Sequence, residues 1–238
     1  LTVLAIPARA GSTNVAVAAN FTEAAAAIAA AFKTATRHEA VLSFGASGAL
    51  YAQITLGAPF DILLSADQER PRQLEEAGLT VPQTRFTYAV GALTLWSRDG
   101  RATLGEAALK SSAVRKLAIA NPASAPYGEA AIETLQALKL YDGLKTKIVQ
   151  GASIAQTFQF AETGNADMAF ISLSQVINRG DGGRWLVPQM LYKPILQDAV
   201  LLKTGEANEA AKAFMAFLKS DAARFIIERQ GYDVKAPR

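Results

Sequence analysis

The sequence predicts an α/β protein with largely parallel sheets and helices on both faces. Short β-branched and apolar runs alternate with helical patterns along the whole chain, the arrangement that builds parallel sheets by crossover. The composition is globular, with 50% hydrophobic and 19% charged residues, far from the charge-rich signature of disorder. The length of 238 residues suffices for one large domain or two smaller ones, at roughly 100–200 residues each.

The first strand is expected in Asn14-Val15-Ala16-Val17-Ala18-Ala19, followed by an Ala-rich helix after Asn20. Phe21, Ala25, Ile28 and Phe32 recur at the spacing of one helix face. Further strands are expected at Ala40–Phe44, Phe60–Ser65, Ala89–Trp96, Leu117–Ala120, Lys147–Val149 and Met168–Ile171. Helices are expected after Pro126-Tyr127-Gly128, with Ile132, Leu135 and Leu138 facing inward, and from about Ser153. A C-terminal helical pair carries Phe214, Phe217 and Leu218, then Phe225 and Ile226.

No internal repeat or low-complexity linker separates two beads on a string, so two lobes would have to interleave. The extended runs Phe86–Val90 and Pro194–Val200 are the candidate crossings. They divide the chain into one lobe of residues 11–87 and 198–238 and another of residues 88–197.

Composition removes many functions. The formal charge is +3 and no Lys/Arg cluster concentrates it, which argues against nucleic acid as a partner. The absence of Cys excludes disulfides, thiol nucleophiles and cysteine metal sites. A single His, His38, leaves no His pair for a transition metal and no base for a serine nucleophile. Carboxylate chemistry survives, although no spaced acidic pair stands out.

At the N-terminus, apolar Leu1–Pro7 leads into the small-x-small run Ala8-Arg9-Ala10. It resembles the tail of a secretory signal, so residues 1–10 are expected to be a leader remnant and the mature chain to start near Gly11; a short natural strand is the alternative. No later segment has the roughly 18–20 uninterrupted apolar residues of a membrane span. The mature protein is expected to be soluble and outside the cytoplasm.

Five strand-to-helix junctions lack charge and are rich in small or hydroxyl residues: Ala18–Phe21, Phe44–Gly48, Asn121–Gly128, Gly151–Ile154 and Ile171–Ser174. In an open α/β sheet such junctions lie at the carboxyl ends of the strands, where ligands bind. Converging helix starts offer unpaired N–H groups and about half a positive charge each, enough to hold an anion without Lys or Arg. Asn20, Ser47 and Ser153 are also good N-cap residues, and capping is the bland alternative for each. Ser47, between Gly45 and Gly48, supplies a hydroxyl where the backbone can approach a ligand closely. The turn is not a phosphate-cradling P-loop, because Ala40 to Phe60 contains no charged residue. Tyr127, between Pro126 and Gly128, is a donor only while protonated, or else a ring covering a helix start.

These stretches resemble a known family. Val17–Phe21, then Ser43–Ile54 with Gly45-Ala46-Ser47-Gly48, then Gly57-Ala58-Pro59-Phe60-Asp61 through Ser65-Ala66-Asp67 are similar to the periplasmic molybdate-binding proteins of ABC transporters. Phe86–Gly91, Asn121-Pro122 through Tyr127-Gly128, and Gly231-Tyr232 extend the resemblance over essentially the whole chain after Gly11. It implies a two-lobed type II binding-protein fold whose cleft grips a tetrahedral oxyanion, molybdate or tungstate, with hydroxyls and backbone N–H groups. By motif, Asn20 and Ser47 fall on the first two binding loops, Ile154 on a backbone donor of the second lobe, and Tyr127 on the third loop, with Ala19 a further backbone donor. Ser172 stands where enteric-type members place a binding Tyr, so the Tyr has changed loops; whether the Ser172 or Ser153 side chain contacts the ligand stays open.

The resemblance further implies a periplasmic monomer without a cofactor that delivers its anion to a membrane permease by hinge closure. Sulfate is also a fully ionised tetrahedral dianion, so hydrogen-bond type does not exclude it. The other readings are an iron(III) binder, for which clustered Tyr ligands are lacking, a carboxylate-based enzyme on the same fold, and a sensing domain cut from a cytoplasmic regulator.

Overall fold

The computed structural model describes residues 10–100 and 105–234. The expected leader segment 1–10 therefore lies outside the described residues, Ala10 excepted. In chain order the elements are β1 (Ser12–Ala18), α1 (Thr22–Thr36), β2 (Glu39–Gly45), α2 (Ser47–Thr55), β3 (Ile62–Leu64), α3 (Glu69–Glu76) and β4 (Phe86–Gly91). Next come β5 (Leu93–Ser97), α4 (Glu106–Leu109), β6 (Leu117–Ala120), α5 (Pro126–Ala137), α6 (Tyr141–Leu144), β7 (Ile148–Gly151), α7 (Ile154–Glu162), β8 (Met168–Ser172) and β9 (Gly183–Leu186). The chain closes with β10 (Ile195–Leu201), α8 (Glu209–Leu218) and α9 (Asp221–Arg229).

The strands form two five-stranded sheets, ordered β2-β1-β3-β10-β4 and β7-β6-β8-β5-β9. In each sheet four strands point the same way, and one, β10 or β5, is inserted against them. The reversed strand is the first to arrive from the other sheet. Entering from below rather than by a helical crossover, it must run antiparallel to its neighbours. The sheets change between Gly91 and Leu93 and between Leu186 and Ile195. The divisions expected at 87/88 and 197/198 fall inside β4 and β10, both of which belong wholly to the first sheet.

Period-two alternation places each sheet between two apolar layers. Val15, Val17, Ile62 and Leu64 pack with Phe21, Ile28, Phe32 and Phe214 on one face of the first sheet. Ala16, Leu63 and Val200 pack with Leu50, Ile54 and Leu74 on the other. In the second sheet, Leu95, Leu117, Ile119 and Phe170 meet Ala131 and Leu135 of α5, while Trp96, Ala118, Ala169 and Ile171 meet Ala161 and Phe158 of α7. Each fully buried Ile, Leu or Phe contributes about 1.5–3 kcal/mol. Asn208 and Ser220 cap α8 and α9, accepting N–H groups of their first turns.

The expected strand Ala89–Trp96 is two strands, broken at Ala92 where the chain passes between sheets. The sequence does not announce β9, because the Gly- and charge-rich Arg179–Arg184 before and within it reads as loop.

Candidate functional site

All five uncharged junctions lie where the lobes meet. β1 ends in a 3₁₀ turn, Ala19–Phe21, whose flanking cap is Ala18; α2 begins at Ser47 after Ala46. Neither Asn20 nor Ser47 caps a helix, so both side chains serve other partners. Ser153 does cap: its Oγ accepts the Gln156 N–H at 3.3 Å and starts α7 at Ile154. The N–H groups of Ser47 and Ile154 belong to the first residues of their helices and have no partner within them.

Asn20 is 4% exposed and its Nδ2 donates to Gln197 Oε1 at 3.0 Å and to Tyr232 Oη at 3.1 Å. These two bonds use both amide hydrogens. Its backbone carbonyl oxygen accepts from Ser174 Oγ at 2.8 Å and from Tyr232 Oη at 2.6 Å. Asn20 thus commits both amide hydrogens and its backbone carbonyl to partners inside the protein.

Ser47 is 1% exposed, and its Oγ accepts the Ala66 N–H at 2.9 Å. That bond orients the hydroxyl and leaves its own hydrogen to be given elsewhere. One residue on, Gly48 N–H donates across the cleft to Ser124 O at 2.9 Å. A Cβ on Gly48 would stand 3.0 Å from Ser124 Cα, so the lobes close here because residue 48 has no side chain. Arg70, paired with Asp67, reaches the same loop and donates to Ala123 O at 3.0 Å.

Tyr127 lies in the first turn of α5, with Pro126 ahead of it at the position that needs no N–H donor. Its Oη accepts from Ser172 Oγ at 3.1 Å and from Gln197 Nε2 at 3.3 Å. The phenol fits against Gly91, where any Cβ would overlap it. Ser172 is occupied by structure: it caps the 3₁₀ turn after β8 in a reciprocal box with Gln175, and its hydroxyl lies 2.8 Å from Ser174 Oγ.

The structure brings the five sequence-predicted residues into one region. Ala19 and Ala66 of the first lobe pack in the same apolar layer as Ala125, Tyr127 and Ile154 of the second. Ser47 joins through its bond to Ala66, and Asn20 through Gln197 to Tyr127. Motif reading passed over Gln197, Ser174 and Tyr88, and gave Tyr232 no role. The available signal for Gln197 was an amide within the apolar crossing run Ile195–Val200.

No charged side chain takes part in the network. Tyr88 donates toward Ser65 O at 3.1 Å and Gln197 Oε1 at 3.2 Å. Burial, reinforced by the neighbouring Tyr232, pushes the Tyr88 and Tyr127 phenols well above the usual tyrosine range. Burial raises Tyr232 to about 12. All three are neutral near pH 7, and they act as hydrogen-bonding hydroxyls. Among the described residues, only Thr94 Oγ1 is a buried side-chain polar atom without a partner, so each buried side-chain polar atom of this network has at least one.

A cavity of about 220 Å³ opens beside the junction, lined by Ala19, Asn20, Phe158 and Gln175, with Glu23 and Glu162 at its wall. Another, of about 270 Å³, is lined by Ala66–Glu69, Pro126 and Pro194–Leu196. Ser47 and Tyr127 line neither; they sit in the closed seam between the lobes. No helix among the described residues is long and apolar enough to cross a membrane.

Residues 13–233 match the family model of the bacterial extracellular solute-binding proteins. The chain is 52% identical over 229 residues to the molybdate-binding protein ModA of Rhodobacter capsulatus, covering 96% of this chain and 91% of that one. It is 47% identical over 237 residues to a ModA of Azotobacter vinelandii, covering 98% and 94%. Its fold superposes on the periplasmic molybdate-binding protein of Azotobacter vinelandii with a TM-score of 0.91 at 36% identity, covering 94% of this chain and 100% of that one. The chain belongs to the bacterial extracellular solute-binding protein family and, within it, to the group of the ModA molybdate-binding proteins.

Proposed function

We propose that this protein captures molybdate, or tungstate of nearly the same size, between its lobes in the periplasm and delivers it as a monomer to an ABC permease. The observation that carries this reading is the seam itself: neutral donors from both lobes converge on the Asn20–Gln197–Tyr127 network, in which no charged side chain takes part, while Arg70, paired with Asp67, holds the Ala123 carbonyl beside it. Fixed dipoles offset the desolvation of a dianion, and a buried carboxylate would repel one.

In this reading the backbone N–H groups of Ala19, Asn20 and Ile154 face the oxyanion. Ser47 gives its hydroxyl and N–H, and Tyr127 contributes from the start of α5. No step of bond making is involved and no cofactor is needed; binding closes the lobes, and closure is what the permease reads. An enzyme would need an acid or base in the network, and the residues there are amides, alcohols and neutral phenols, the nearby Asp67 being paired with Arg70.

Thermal unfolding with molybdate, tungstate, sulfate, phosphate or no anion tests the proposal. At about 1,000 times its Kd a ligand adds about 4 kcal/mol, which at roughly 2–4 °C per kcal/mol raises Tm by about 8–16 °C. Molybdate and tungstate are expected to stabilise strongly and sulfate and phosphate weakly. An equal response to sulfate would keep an oxyanion site and remove the molybdate assignment, and no response to any of the four would refute the reading.

A further inference from the structure

The geometry points to Gln197 as the positioning residue of the anion seam, a single buried amide that aligns a donor turn on one lobe with a helix start on the other. This rests on the oxyanion reading above and deepens it. Gln197 lies on β10, the strand that returns from the second sheet to the first, at a β-bulge between Gln197 and Asp198. It is fully buried. Its Oε1 accepts from Asn20 in the first lobe, and its Nε2 donates to Tyr127 in the second. Tyr88, which also donates to Ser65 O, points its hydroxyl at the same Oε1.

Three consequences follow from counting donors and acceptors. Asn20 spends both amide hydrogens on Gln197 and Tyr232, so its carboxamide is a strut that fixes the Ala19–Phe21 turn. Tyr127 Oη already accepts from Gln197 and Ser172, so its own hydrogen is directed away from both. Because one side chain makes both contacts, a shift of Asn20 is felt at Tyr127. Asp198, the next residue, faces elsewhere: it is held by Arg85, Thr87 and Gln68, which anchors the bulge and aims Gln197 at the seam.

The test is a double-mutant cycle read by calorimetric titration with molybdate, with ligand-free Tm measured on every variant. Gln197→Met keeps the volume and removes both contacts; affinity is expected to fall about ten- to hundred-fold. Tyr127→Phe weakens binding on its own, and the double variant is expected to fall short of the product of the two losses by more than about threefold, the mark of residues acting as a unit. Unchanged affinity in Gln197→Met, or losses that multiply, would overturn the inference.

Should Gln197→Met fail to fold, Gln197→Glu carries the test. Its carboxylate still accepts from Asn20 and Tyr88 but gives nothing to Tyr127, so affinity is expected to drop about as far or further; wild-type affinity would overturn the assignment. If the wild type binds sulfate, phosphate or tungstate but not molybdate, the cargo reading fails alone and the cycle is run on the anion that binds. If it binds none of the four, both fall.

Discussion

Replacing Ser47 with Ala separates a ligand contact from a structural one at a single atom. Ser47 Oγ accepts the buried Ala66 N–H at 2.9 Å, and the side chain is 1% exposed. In the ligand-free protein, Ser47→Ala leaves that N–H without a partner at a cost of about 1–3 kcal/mol, a fall in Tm of about 2–12 °C at roughly 2–4 °C per kcal/mol. The hydroxyl's remaining hydrogen is the one proposed to reach the oxyanion. Losing a hydrogen bond to a charged group removes a further 1.5–3 kcal/mol or so, about ten- to hundred-fold in Kd. The two losses are read by different assays, thermal unfolding without anion and calorimetric titration with molybdate. A variant that is less stable yet binds molybdate as tightly as the parent would refute the ligand role and leave Ser47 a strut for Ala66.

Tyr127→Phe is expected to weaken molybdate binding and, because Ser172 and Gln197 both donate to the phenol, to lower ligand-free Tm as well. An unaltered Kd in titration would make Tyr127 structural. Gly48→Ala places a methyl about 3.0 Å from Ser124 Cα, so the Ser124 loop must give by a few tenths of an ångström for the lobes to meet, while α2 gains up to about 1 kcal/mol of helix propensity. Calorimetric titration is expected to show weaker molybdate binding, and parental affinity would refute the steric argument. The three buried tyrosines also set an alkaline limit. Their folded-state pKa values lie above the unfolded value near 10, so the folded protein holds more protons above that pH. Stability is then fully present below about pH 10 and falls above it, by up to about 1.4 kcal/mol per pH unit for each tyrosine. A Tm that stays flat from pH 9 to 11 would contradict this.

How much of this was legible depends on the kind of signal. The sheet faces were written in local periodicity, since Val15 and Val17 point one way and Ala16 the other. The uncharged junctions were legible as a class because charge is conspicuous by residue type. Their mutual arrangement was not: Asn20 and Gln197 are separated by 177 positions and Asn20 and Tyr232 by 212, and no local pattern encodes such a pairing. N-capping propensity also pointed equally at Asn20, Ser47 and Ser153, and only Ser153 caps. At Asn20 and Ser47 tertiary partners in the seam outweighed local preference, Gln197 and Tyr232 for one and Ala66 for the other. The break at Ala92 and the reversed strands β5 and β10 arise from the chain passing between sheets, which propensity does not register.

The saturation of acceptors makes selectivity against phosphate a separable property. Gln197 Oε1 faces the Asn20 amide and the Tyr88 phenol, and Asn20 O faces Ser174 and Tyr232. Each is thus engaged within the protein, Gln197 Oε1 by the Asn20 amide and by a Tyr88 hydrogen shared with Ser65 O. Molybdate, tungstate and sulfate carry no hydrogen near neutral pH and lose nothing by this. Hydrogen phosphate brings an O–H that would be buried without an acceptor, costing about 1–3 kcal/mol. Sulfate and phosphate are close in size, so their ratio cancels cavity size and reports this term alone. Competition titrations near pH 7.5 are expected to show phosphate about ten- to hundred-fold weaker than sulfate, however weak both are beside molybdate. Equal affinities would mean that an acceptor remains open in the seam.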